Sequence, residues 1–251
     1  MKQALLAVSF GTTHEDAEKS CICPVEDALR EAFPGWEVRR AWTSRMIIRR
    51  MASRGVAIEN EAEALDRLRA EGYDRIVVAS THNIPGREYD LLCSAADGLP
   101  VSKPLLSAED DLIWMAALLN AIALDAGRTL LAMGHGTEHR ANAVYEALRK
   151  ALPESVKLAC VEGEYGLEGI LDELECAPGK RLMLMPLMLV AGDHAKNDLA
   201  GDGDSWKNRL EARGFDVAVS LRGLGSMEPV RQRIVRKVRE IIVANEGDHV
   251  L

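Results

Sequence analysis

The chain has 251 residues, room for one large domain or two of ordinary size. It is 47% hydrophobic but only 4% aromatic, so a core must pack from Leu, Val, Ile, Ala and Met. A net charge of −8 argues against a nucleic-acid partner, and no apolar stretch reaches the ~20 residues of a membrane span.

Residues 4–10 predict a strand and 15–33 a helix, with Val25, Ala28, Leu29 and Ala32 on one face and Pro34-Gly35 as its stop. Residues 36–43 predict a second strand, after which Ser44 is placed to cap a helix carrying Arg45, Arg49, Arg50 and Arg54. Spacings of four set Arg45 beside Arg49 and Arg50 beside Arg54. Such a face is either a solvated basic surface or, beside a cleft, a seat for an anion. Residues 60–71 predict a helix, and 75–79 a β-branched strand of the buried parallel kind, ending in Ser80-Thr81-His82-Asn83. Residues 101–106 predict a fourth strand and 110–124 a helix.

The second half repeats the order. Strands are predicted at 130–133, 156–161, 181–190 (with Pro186 inside) and 217–221, and helices at 140–151, 167–175, 205–213 and 228–244. Alternating strands and helices predict parallel sheets flanked by helices. Residues 5–14 also match 130–139 without a gap: Leu5, Leu6, Ala7, Gly11, Thr12 and His14 stand against Leu130, Leu131, Ala132, Gly136, Thr137 and His139. An offset of 125, half the chain, marks an internal duplication. The expected fold is therefore α/β: two similar doubly wound parallel-sheet domains, 1–125 and 126–251, with a cleft between them.

Where the first half has Phe10, the second has His135, between Gly134 and Gly136 at a strand tip. Open α/β sheets keep their ligand sites at that edge. Two further second-half tips carry Glu162 and His194. Each residue alone also reads as an ordinary loop or cap side chain. Together, two imidazoles and a carboxylate suit a first-row divalent ion with coordination positions left open. Met188, Leu189 and Val190 follow Pro186 at the rim and, with Phe10, suggest greasy walls for a large flat organic ligand, with His82 lining the same cleft.

Other chemistries lack their motifs. The first strand is not followed by Gly-x-Gly-x-x-Gly and there is no Walker A lysine, so no nucleotide is expected. Gly201 and Gly203 among Asp198, Asp202 and Asp204 miss the EF-hand spacing and read as a turn. The five cysteines, Cys21, Cys23, Cys93, Cys160 and Cys176, lack zinc-type pairing. Free thiols, and a first apolar run too short for a signal peptide, point to a reducing cytoplasm.

Several segments resemble the anaerobic cobalt chelatases. They are Ser-Phe-Gly-Thr at 9–12, Thr-Ser-x-Met-Ile-Ile-Arg at 43–49, Met-Gly-His-Gly at 133–136, Val-Glu-Gly at 161–163, Met-Pro-Leu-Met-Leu-Val-Ala-Gly-Asp-His-Ala-x-Asn-Asp at 185–198 and Gly-Asp-Gly-Asp-Ser-Trp-Lys at 201–207. The resemblance implies the class II chelatase fold and insertion of Co2+ into sirohydrochlorin, a tetrapyrrole, during cobalamin synthesis, without nucleotide. It implies His135, Glu162 and His194 as metal ligands; His135, whose flanking glycines let a ligand approach closely, is also expected to be the proton acceptor. It implies substrate contacts at Ser9, Phe10, Gly11, Thr12, Arg45, Arg49, His82, Met188, Leu189 and Val190. A homo-oligomer is expected on the same ground, as is a last helix that crosses back onto the first domain. Iron insertion for sirohaem, and tetrapyrrole or metal delivery without turnover, are the alternatives. His14 and His249 are expected to be bystanders.

Overall fold

A computed structural model describes residues 2–247, and His249 lies outside the described residues. In chain order the elements are β1 (Gln3–Ser9), α1 (Glu15–Ala17), a π turn (Glu18–Ile22) running into α2 (Cys23–Ala32), β2 (Glu37–Trp42), α3 (Arg45–Ser53), α4 (Glu61–Ala70), β3 (Arg75–Ser80), α5 (Arg87–Ala96) and α6 (Glu109–Ala126). There follow β4 (Thr129–Gly134), α7 (Asn142–Ala151), β5 (Val156–Cys160), α8 (Leu171–Glu175), β6 (Arg181–Pro186), a second π turn (Ala195–Leu199), α9 (Trp206–Glu211), β7 (Asp216–Val219) and α10 (Glu228–Gly247). No helix among the described residues is long and apolar enough to cross a membrane.

The local reasons are in the residues. β1 and β4 carry apolar side chains on both faces, and both strands are buried because helices cover each side. The Ser44 side chain accepts from the backbone of Ile47 and starts α3. Asn60 and Glu63 form a reciprocal capping box at α4.

Four expectations change. The helix over 15–33 opens into a π turn just before Pro24, which cannot donate to the helical ladder. The strand expected at 101–106 shrinks to one bridge, Val101 to Val78, because Pro100 and Pro104 flank it without N–H groups. The strand expected to reach Val190 stops at Pro186. Helix α5 was not foreseen: Pro85-Gly86 and a polar first turn hide the buried pair Leu92 and Ala96.

The chain forms two compact units, Met1–Leu105 with Gly225–Leu251, and Leu106–Leu224. The division thus lies elsewhere than 125/126, since α6 belongs to the second unit. Helix α10 packs on α2 and β3 of the first unit. Each half sends the helix that follows its sheet to the other unit.

The first unit's sheet has order β2-β1-β3 and the second's β5-β4-β6-β7, all pairs parallel. The duplication is visible bond by bond. Ser44 N–H donates to Phe10 O, and Glu162 N–H to His135 O. Thr81 N–H donates to Val8 O, and Leu187 N–H to Met133 O. Leu105 N–H donates to His82 O, and Leu224 N–H to Met188 O. Phe10 and His135 therefore stand at equivalent tips of the two central strands, and Val101 is the remnant of the strand that the second unit keeps as β7.

Candidate metal centre

Three loops at the C-terminal edge of the second sheet bring His135, Glu162 and His194 together. His135 follows β4 directly, Glu162 lies two residues past β5, and His194 sits in the helical turn beyond β6. One donor atom from each lies within 4.8 Å of the others. The Glu162 N–H bonds the His135 carbonyl at 2.8 Å, which ties the first two loops by their backbones. His135 Nδ1 lies 3.8 Å from Glu162 Oε2, and the two imidazoles meet edge to face at 4.7 Å between ring centres. All three side chains are a third or more exposed, so the donors are open to solvent. A divalent ion with bonds of about 2.0–2.2 Å needs donors about 3–4 Å apart, within reach by side-chain rotation.

The glycines beside His135 make room for neighbouring groups. A Cβ on Gly136, whose φ is 80°, would overlap the Glu162 carbonyl; a Cβ on Gly134 would meet the Tyr145 ring at 2.8 Å. They let the β4 and β5 loops touch, and that contact sets the spacing of His135 from Glu162.

Each of the other expected site residues has its own surroundings. Phe10 is 45% exposed. Ser9 is buried, its hydroxyl 2.9 Å from that of Thr81. Gly11 lies against the Trp42 ring, and the buried Thr12 accepts from the His14 N–H. Arg45 is engaged: its guanidinium makes two bonds, of 2.6 and 2.7 Å, to the buried Glu61 carboxylate and one to the Thr43 carbonyl. Arg49 is exposed, its Nε donating to the Arg45 carbonyl. His82 is pinned, with Nδ1 3.0 Å from the Ser80 hydroxyl and Nε2 3.4 Å from that of Thr43. Burial holds its imidazole well below the ordinary range, with Glu61 opposing weakly. Leu189 is buried, Met188 packs against the second unit's core, and Val190 is half-buried.

Two carboxylates were not among the expected site residues. Asp198 Oδ2 lies 2.7 Å from His194 Nδ1. Glu88 stands in the second position of α5, eight residues past the end of β3, as His194 stands eight past the end of β6. Its Oε2 is buried without a hydrogen-bond partner among the described residues. The i,i+4 spacing from His194 to Asp198 was the only available cue to the first.

What fold and geometry define is a class: a duplicated parallel α/β protein with an imidazole–carboxylate cluster open to solvent at one sheet edge. The chain belongs to the cobalt chelatase (CbiK) family, whose model matches residues 3–243. It is 36% identical to the sirohydrochlorin cobaltochelatase of Salmonella typhimurium over 256 residues, covering 96% of this chain and 97% of that one. It is also 36% identical to sirohydrochlorin cobaltochelatase CbiKC of Nitratidesulfovibrio vulgaris over 244 residues, covering 90% and 86%. A glucose-galactose binding protein of Geobacillus stearothermophilus overlays with a TM-score of 0.40 at 13% identity, covering 98% of this chain and 92% of that one.

Proposed function

We propose that this protein inserts Co2+ into sirohydrochlorin in cobalamin biosynthesis, with His135, Glu162 and His194 as the groups that take the ion from water. The observation that carries the reading is the convergence of these three donors at adjacent strand tips in a chain of this family. Two neutral imidazoles and one anionic oxygen replace water around a first-row ion while leaving positions for pyrrole nitrogens. Two pyrrole protons must leave as the metal enters. His135 accepts one at the nitrogen that has released the ion, and solvent, which reaches the partly open ring, takes the other. Walls that hold the macrocycle bent bind the strained state better than the flat one. Phe10, Arg49, Met188 and Val190 are the proposed contacts of the anionic, largely apolar ring. The reaction uses no nucleotide and takes place in the cytoplasm on a homo-oligomer. Fe2+ fits the same donors, so supply of the ion selects Co2+.

Conversion of metal-free sirohydrochlorin with Co2+, followed by absorbance, tests the reading. Many turnovers per chain are expected, whereas a delivery protein would stop at one equivalent. His135→Ala and His194→Ala are each expected to remove most of the rate with an unchanged thermal melt. Near-normal rates in both would refute the site.

A further inference from the structure

Each imidazole of the cluster is already committed at one nitrogen. His194 Nδ1 lies 2.7 Å from Asp198 Oδ2, four residues on across the second π turn. His135 Nδ1 lies 2.9 Å from the Gly136 carbonyl oxygen. Neither an ionised carboxylate nor a carbonyl can donate. Both Nδ1 atoms therefore carry the proton, and both Nε2 atoms keep their lone pair for a metal. The two outer partners differ in kind. A carboxylate makes the stronger bond and pushes more electron density onto the far nitrogen, while a carbonyl does so weakly.

We infer that Asp198 is a positioning residue of the metal site. It holds His194 in the Nε2-ligating tautomer and orientation and makes it the ligand that captures and keeps the ion. His135, whose Nδ1 bonds the Gly136 carbonyl while the Glu162 carboxylate stands 3.8 Å off, beyond hydrogen-bond reach, is the ligand that lets go as the metal passes to the ring. The division suits a protein that must bind an ion and then surrender it, and it rests on the reading of the cluster as a Co2+ site.

The test is Co2+ titration of the metal-free, full-length protein without tetrapyrrole, read by visible cobalt absorption and calorimetry. Asp198→Leu is expected to weaken Co2+ by about 10- to 100-fold, to speed its release and to change the cobalt spectrum. Asp198→Asn keeps an oxygen that accepts from Nδ1 and is expected to recover much of the loss. The KM for sirohydrochlorin is expected to stay the same in both. Wild-type affinity and spectrum in Asp198→Leu, with binding lost in His194→Ala, would overturn the inference and leave the site standing. Wild-type Co2+ binding by His194→Ala would overturn the site itself and the inference with it. Nitrogen NMR of the metal-free wild-type protein reads the tautomer without any substitution: a proton on His194 Nδ1 is expected, and one on Nε2 overturns the proposal.

Discussion

Gly136 shows how little room the metal loops leave. An added methyl would overlap the Glu162 carbonyl on a backbone that is already left-handed. Gly136→Ala is therefore expected to cost about 1–3 kcal/mol and to weaken Co2+ binding, because Glu162 must move. A melt and a Co2+ titration check it, and wild-type values in both would refute the account. At Glu162 the charge and the oxygen can be separated. Glu162→Ala is expected to lose at least the roughly 10- to 100-fold that an outer partner is worth, and Glu162→Gln less, since it keeps one oxygen donor. His82 bears on stability instead. Burial lowers its pKa to about 4, below the ~6.5 of an unfolded histidine. Between those values the unfolded chain binds a proton that the folded chain does not, so stability falls as pH falls through that window. His82→Asn is expected to flatten this acid-side loss in melts taken at successive pH values; an unchanged slope would mean the ring is not held neutral.

At the scale of elements, α3 offers two arginines that its sequence makes look alike. Arg45 is spent on Glu61, whose side chain is 3% exposed at the first turn of α4. Arg49, one helical turn on, faces solvent. Arg45→Ala is expected to lower stability by on the order of 1 kcal/mol, because a nearly buried carboxylate loses its cation, and water at the half-exposed arginine limits the cost. Arg49→Ala is expected to leave the melt alone and to raise the KM for the anionic ring several-fold. The comparison needs only melts and steady-state kinetics of both variants. A stability loss in Arg49→Ala with none in Arg45→Ala would reverse the assignment.

Across the whole molecule, the exchanged helices decide which parts melt together. Val230, Ile234 and Val238 of α10 are buried, and the helix packs on the first unit, although the second unit's chain leads into it. Val238→Asp puts a charge into that apolar contact. Hydrogen exchange is expected to show protection lost across β1, β2 and β3 while β4, β5 and β6 keep theirs. Loss confined to the second sheet would assign the helix to the wrong unit.

Much of this was legible in the residues alone. Apolar runs mark the strands because a doubly covered sheet needs side chains buried on both faces. The repeat at an offset of 125 marks the duplication, and His135, Glu162 and His194 mark strand tips because a turn must follow each run. These are local signals, and periodicity carries them. Partner choice is not local. Nothing in the spacing of Arg45 says that Glu61 reaches it from another helix, and nothing in the glycines says that Glu162 crosses beside them. Residues 101–106 read as a strand as clearly as 217–221 do, yet prolines without N–H groups and a missing ladder leave one a bridge and the other a strand. Helices α6 and α10 are equally plain as helices, but only tertiary packing decides which core each one buries its apolar face against, because amphipathicity specifies a face and not its partner.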